Sequence, residues 1–293
     1  MTFLSGFIAI IGPPNVGKST LLNRLLGKKV AIVSRKPQTT RNRILGVLHG
    51  EGFQMIFLDT PGIHKARTSL HKSMVSSAIS ALKEVDIAVV IIEKHRPHAP
   101  EIPLVLKNLK QAEKPAVLVI NKIDLGPREH LLPIIDEYRN IFPFEAIVPV
   151  CALTGEGLDS LQDVLKRNLK TGPMFFPQDI STDQTESFLI AEIVREKIYQ
   201  HTGDEIPYSS AVTIESINEK AKDLLVVSGL IHVESNSQKG ILIGQKGKMI
   251  KAIGQSARME IENLFGMRVY LELNVRVEKN WSRNPRALRR LGY

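Results

Sequence analysis

A single cysteine, Cys151, stands in a chain of 293 residues. That excludes a disulfide framework and a zinc site built on cysteines, and it points to a reducing, cytoplasmic setting. Long apolar runs are missing as well. The longest, such as Ile87 to Ile92 and Ala116 to Ile120, are strand-sized, far below the roughly 18 residues of a membrane span. The N-terminus has no basic segment ahead of an apolar one and no small-residue cleavage site, so a secretory signal is not expected. No internal repeat or low-complexity tract occurs. Two stretches lack acid altogether: Lys239, Lys246, Lys248, Lys251 and Arg258 form one basic run, and Lys279, Arg283, Arg286, Arg289 and Arg290 another.

What is present is a soluble, globular balance, 43% hydrophobic and 24% charged, with length enough for two domains. The net charge of +9 favours a polyanionic partner, nucleic acid or the anionic inner face of a membrane. Clustering of the cations suggests a docking surface rather than solubility alone.

From 1 to about 170, strand and helix signals alternate. Apolar runs of strand length sit at Gly6–Gly12, Ile44–His49, Met55–Asp59, Asp86–Glu93, Ala116–Asn121 and Ala146–Val150. Helical spacing falls between them, at 19–26, 69–83, 102–109, 128–141 and 158–168. Such alternation predicts an α/β fold with a mostly parallel, doubly wound sheet. The short polar turn between Leu48 and Met55 predicts an antiparallel hairpin at one edge. Residues 171–185, with two prolines and little periodicity, read as a linker. Beyond it, 186–201 is helical, 210–219 and 224–235 are β-rich, 249–264 is helical and 268–277 alternates like a strand. This second, smaller α+β domain is expected over 186–278, followed by a basic tail at 279–293.

The centre of the first domain is Gly12-Pro13-Pro14-Asn15-Val16-Gly17-Lys18-Ser19-Thr20. It has the G-x-x-x-x-G-K-S spacing of a phosphate loop, entered from a strand and left into a helix. Its glycines let backbone N–H groups turn toward phosphate oxygens, and the new helix aims its positive end at them. Lys18 is placed to reach the β- and γ-phosphates and Ser19 to hold Mg²⁺. Asp59-Thr60-Pro61-Gly62 follows a strand; there Asp59 can hold the Mg²⁺ shell through water and the Gly62 N–H can contact the γ-phosphate. Asn121-Lys122-Ile123-Asp124 follows another strand. Guanine presents two adjacent donors, N1–H and its 2-amino group, which a carboxylate at Asp124 can accept together. Asn121 can tie this loop to the phosphate loop, and the stem of Lys122 can cover the ring. Cys151-Ala152-Leu153 lies where a backbone N–H can reach the 6-oxo group.

These segments, in this order, resemble a translation-factor-type GTPase domain. The resemblance places a first switch at Gln38-Thr39-Thr40-Arg41, with Thr40 as the second Mg²⁺ ligand and Thr39 as runner-up. Lys18, Thr40 and Gly62 are the residues it implies for hydrolysis. Ras-like GTPases carry a water-orienting Gln after the second-switch glycine; here the residue is Ile63, so hydrolysis is expected to be slow or to use another device. Some GTPases with Asn at the position of Asn15 and a hydrophobic residue at that of Ile63 hold K⁺ there, and this sequence is similar in both respects.

Ile243-Gly244-Gln245-Lys246-Gly247-Lys248 contains a G-x-x-G turn, with Lys251 one helical turn on. It resembles the signature loop of a KH domain, and the order of elements around it resembles the type II arrangement. A glycine-bounded turn lets a nucleic-acid backbone approach closely, with the lysines near its phosphates. A GTPase domain followed by a type II KH domain resembles the Era family over essentially the whole chain. The resemblance implies a monomeric ribosome-assembly GTPase that binds the 3′ end of 16S ribosomal RNA in the 30S subunit. A membrane-surface signalling GTPase, peripheral at the inner face through the basic tail, is the alternative, as is an RNA-binding module with a structural nucleotide. Two residues depart from the family pattern, Pro13 in place of Arg and Cys151 in place of Ser. His64, His71, His95 and His98 match no metal-ligand spacing. Trp281 is left between two roles, stacking on a base and anchoring the tail.

Overall fold

The computed structural model describes residues 2–66, 68–221 and 223–293. The chain divides into two compact units, one of residues up to Arg67 and His71–Asp183, the other of Thr68–Leu70 and Gln184–Tyr293.

The first unit is an α/β layer structure. Its elements in order are β1 (Leu4–Ile11), α1 (Lys18–Leu26), β2 (Ile44–Gly50), β3 (Phe53–Asp59), α2 (Ser69–Glu84), β4 (Ile87–Glu93), α3 (Ile102–Ala112), β5 (Ala116–Asn121), α4 (Leu131–Ile141), β6 (Ala146–Pro149), α5 (Leu158–Arg167) and β7 (Lys170–Thr171). Among the described residues they form a seven-stranded sheet of order β2-β3-β1-β4-β5-β6, with β7 beside β1. The pairs β3–β1, β1–β4, β4–β5 and β5–β6 are parallel. Edge strand β2 pairs antiparallel with β3, the expected hairpin. Strands covered by helices on both faces need apolar residues at every position, and Ile87 to Ile92 are all buried. Because these strands run the same way, the segments following β1, β3, β4, β5 and β6 emerge at one edge of the sheet. Ligand sites of open parallel sheets form at that edge.

Two expectations change in detail. The helix expected over 128–141 opens with a 3-10 turn, Arg128–His130, before α4. The stretch expected as a linker runs along the first unit as far as Asp183. Buried Gln54 holds it there: its Oε1 accepts from the amides of Phe175 and Phe176 at 2.9 and 3.1 Å, and its Nε2 donates to the Phe176 carbonyl at 2.7 Å.

The second unit carries α6 (Glu186–His201), α7 (Ile206–Ser209), β8 (Ala211–Ala221), β9 (Leu224–Val233), α8 (Asn236–Ile243), α9 (Lys248–Phe265), β10 (Arg268–Val277) and α10 (Pro285–Arg290). Its sheet has the order β10-β9-β8; β8 is antiparallel and β10 parallel to β9. The core joins Ile190, Val194 and Ile198 of α6 to Ile253, Ala257 and Ile261 of α9 over Val227 and Ile231. The basic tail is folded. Trp281 is 0% exposed, its Nε1 donates to the Ser209 carbonyl at 3.0 Å, and its ring stacks on Tyr293 at 5.8 Å. It is therefore the anchor of the tail and not a platform for a base. Arg283, Arg286, Arg289 and Arg290 stay exposed.

Candidate functional site

The phosphate loop leaves β1 at Gly12 and enters α1 at Gly17, a left-handed helix cap at φ 99°. Asn15 is also left-handed, at φ 64°. These reversals wrap the loop around Lys18, whose Nζ donates to the carbonyls of Gly12 and Pro13 at 3.3 and 2.7 Å. Beside it, Ser19 Oγ lies 2.8 Å from Thr40 Oγ1 and donates to Asp59 Oδ2 at 2.5 Å. Thr39 turns away and donates to the Lys36 carbonyl at 2.8 Å. The structure thus brings Thr40, not the runner-up, against Ser19.

Asp59 is 0% exposed. Burial raises its pKa to about 6, against the hydrogen bond from Ser19, the charge of Lys18 and the Thr60 amide. Burial also lowers Lys18 to about 8, with Asp59 opposing. In both groups desolvation outweighs the mutual attraction, so each charge calls for a further partner. Asp59 Oδ1 has no hydrogen-bond partner. A buried carboxylate oxygen with nothing to accept is costly, and with the Ser19 and Thr40 hydroxyls beside it the donor set fits Mg²⁺, a cation that takes oxygen ligands.

Thr60 ties this strand end down by donating to the Ile10 carbonyl at 2.8 Å. Pro61 and Gly62 are buried. A Cβ on Gly62 would lie 2.8 Å from the Pro14 nitrogen, so the second switch approaches the phosphate loop as closely as glycine permits. Ile63 is part of the sheet core, and its N–H donates to the Gly12 carbonyl at 3.1 Å. Its side chain is spent on packing and faces no solvent. Asn15 Nδ2 donates to the Arg35 carbonyl at 2.9 Å, joining the phosphate loop to the first switch. Val16 is buried, while Pro14 and Thr20 are half-buried.

On the base side, Asn121 Nδ2 donates to the Val16 carbonyl at 2.7 Å and its Oδ1 accepts from the Ala152 amide at 3.0 Å. Lys122, at φ 62°, pairs with Glu93 at 2.8 Å. Ile123 is buried and Asp124 exposed. Cys151 touches the base loop through its side chain: Sγ donates to Asp124 Oδ1 at 3.1 Å. The Cys151 N–H is engaged with the Glu156 carbonyl at 2.9 Å and that of Ala152 with Asn121. Leu153 is 74% exposed.

In the second unit, Gly244 (φ 70°), Lys246 (φ 50°) and Gly247 (φ 77°) all take positive φ. A Cβ on Gly244 would meet the Met249 backbone nitrogen at 2.9 Å, whereas one on Gly247 would meet nothing within 4 Å. Gly244 is needed by the fold, and Gly247 faces open space at the start of α9. Gln245, Lys246, Lys248 and Lys251 are exposed, Ile243 half-buried.

Residues 7–122 match the family described as "50S ribosome-binding GTPase" and residues 205–282 match the KH domain family. The chain is 52% identical to GTPase Era of Geotalea uraniireducens, over 99% of this chain and 98% of that one. It is 50% identical to GTPase Era of Syntrophus aciditrophicus, over 99% and 95%. The chain belongs to the Era family of GTPases. Two Era crystal structures superpose on nearly all of it at 44% identity. One, in complex with MgGDPNP and nucleotides 1506–1542 of 16S ribosomal RNA, has a TM-score of 0.96 and covers 99% of each chain. The other, a substituted Aquifex aeolicus Era bound to GDP and aluminium fluoride, has a TM-score of 0.95 and covers 100% of this chain and 99% of its own.

One residue of this Era family member escaped motif reading. Lys94, after β4, is 3% exposed, and its Nζ lies against the carbonyls of the loop that carries Asp124. A lysine at a strand end looks solvated in sequence, and no spacing marks it. Among the described residues, no helix is long and apolar enough to cross a membrane.

Proposed function

We propose that this chain is a GTP-hydrolysing switch that binds the 3′ end of 16S ribosomal RNA through its second unit and assists 30S assembly, as a cytoplasmic monomer. The observation that carries this reading is the meeting of Ser19, Thr40 and Asp59 beside Lys18, with one buried Asp59 oxygen left without a partner. The exposed Gly247 face, with Lys246 and Lys248 around it, supports the RNA half, and the solved Era complex with a 16S fragment supports the choice of RNA.

Lys18 exchanges its carbonyl partners for the β- and γ-phosphates. The Gly62 N–H and the Thr40 hydroxyl sense the γ-phosphate, which orders both switches. Bound Mg²⁺ supplies charge neutralisation between those phosphates. Asp124 accepts the two guanine donors, and Lys122 covers the ring. With Ile63 buried, no side chain at that position orients water, and hydrolysis is slow. Asn15 and the carbonyls of the 35–40 loop would hold K⁺, which would supply positive charge for hydrolysis there.

Crosslinking to RNA with a GTP analogue, with GDP and without nucleotide tests ligand, partner and coupling together. Strong crosslinking with the analogue alone is expected. Equal yields in all three states would make the nucleotide structural, and no crosslinking would remove RNA from the reading.

A further inference from the structure

Two consecutive residues at the end of β4 hold the loop between Asn121 and Gly126. Glu93 takes the ammonium of Lys122 at 2.8 Å. Lys94 binds four of the loop's carbonyls. Its backbone N–H donates to the Asn121 carbonyl at 3.0 Å. Its Nζ donates to the carbonyls of Ile123, Leu125 and Gly126 at 3.4, 2.9 and 2.8 Å. An ammonium has three N–H donors and no acceptor, and here three carbonyls receive them. Among the described residues no carboxylate pairs with it. Burying a charge this far is unfavourable unless its hydrogen bonds are made, so the loop carbonyls and the ammonium stabilise each other.

The geometry singles out Asp124. Both peptide groups flanking it are pinned. The one before it carries the Ile123 carbonyl, bound to Lys94. The one after it carries the Leu125 N–H, which donates to the Lys122 carbonyl at 3.2 Å. The next two carbonyls again point at Lys94. With those planes fixed, the exposed carboxylate keeps only its own side-chain torsions, and the Cys151 Sγ–H donates to its Oδ1 at 3.1 Å. Without the ammonium, three carbonyls would converge on nothing and the turn would open.

We infer that Lys94 is a positioning residue for base recognition: through the loop backbone it aims the Asp124 carboxylate and so supports the preference for a base carrying a 2-amino group. The inference rests on the reading of Asp124 as the carboxylate that recognises guanine. A role confined to stability would alter melting and overall affinity but leave the ratio between two bases that differ only in that amino group.

The test is calorimetric titration of the full chain with GDP and with IDP, which lacks the 2-amino group, for the unmutated protein, Lys94→Met and Asp124→Asn. Lys94→Met is expected to weaken GDP binding by about 10- to 100-fold, the range for a lost hydrogen bond to a charged group, and to shrink the GDP-over-IDP preference several-fold. Asp124→Asn is expected to lose that preference too. Should Asp124→Asn lose it while Lys94→Met retains it in full, whatever its melting temperature, the inference is overturned. Should both retain it, the base-recognition reading itself falls and takes the inference with it. Lys94→Gln, which keeps a donor without the charge, serves if the Met variant does not fold. Its preference is expected between the two, and full retention would overturn the inference equally.

Discussion

Asn121 donates its side-chain amide to the Val16 carbonyl at 2.7 Å, across 105 residues of sequence. That single bond joins the base loop to the phosphate loop, and it leaves no room for a side chain between them. A Cβ on Gly17 would lie 2.3 Å from Asn121 Nδ2, at a φ of 99° that L-residues avoid. Gly17→Ala must therefore displace Asn121 or unwind the start of α1. With strain of order 1–3 kcal/mol, GDP affinity is expected to fall by roughly 10- to 100-fold. Unaltered affinity by calorimetry would mean that the two loops move independently.

Asp124→Asn replaces an acceptor of two donors with a group that accepts at one atom and donates at the other. GTP and GDP binding are expected to weaken strongly while xanthosine nucleotides gain, since sites built on such hydrogen bonds discriminate by about 10⁴-fold. Competition between GDP and xanthosine diphosphate reads the reversal. An unchanged order of affinities would remove Asp124 from the base pocket.

Asn15 and the first switch set a third expectation. GTP hydrolysis should run faster in potassium than in sodium at equal ionic strength, and Asn15→Ala should abolish the difference. Ionic strength must be matched because salt also screens charge. Equal rates in the two salts for the unmutated chain would point instead to a cation supplied by a partner.

Gly247 has open space where a Cβ would stand. Lys246→Asp combined with Gly247→Asp fills it and places carboxylates against phosphates. RNA binding is expected to fall by about two orders of magnitude or more, with GDP affinity unchanged. Retention of RNA on a filter by the double variant would refute the assignment of this loop.

His232 supplies a pH dependence for the second unit. Its ring nitrogens face Thr213 Oγ1 at 2.9 Å and Glu278 Oε2 at 3.1 Å. Burial lowers its pKa below 6.5, aided by Arg290 and Arg276 and opposed by Glu278. The unfolded chain therefore binds more protons than the folded one near and below that value, so stability rises with pH through this window and is lost as pH falls. Trp281 is the one tryptophan and is buried in this unit, so its fluorescence follows the unit alone. Urea midpoints should be lower near about pH 5.5 than near about pH 7.5, and the gap should narrow in His232→Gln. The same gap in both proteins would assign the dependence to other groups.

By itself the sequence determined most of the elements and their order, though not β7, α7 or α10. Ile87 to Ile92 is apolar at every position and can only lie inside a sheet. The turn at Gly50 and Gly52 specifies the β2–β3 hairpin, and the G-x-x-x-x-G-K-S spacing specifies strand, loop and helix. These are short-range effects, carried by neighbours within a turn or two. The fold decided what depends on partners far along the chain. Sequence preferred Thr40 with Thr39 as runner-up, and the choice is fixed only when β3 brings Asp59 to Ser19, 40 residues away, with Thr40 beside them. Gln54 looks like an ordinary polar strand residue until Phe175 and Phe176, 121 and 122 residues on, come to its amide. Trp281 had two open roles until Ser209 received its N–H, 72 residues back. Lys94 reads as a solvated strand end until three carbonyls, 29 to 32 residues on, converge on it. In each case a buried polar group must find a partner or cost free energy, and only the tertiary structure sets which one is within reach.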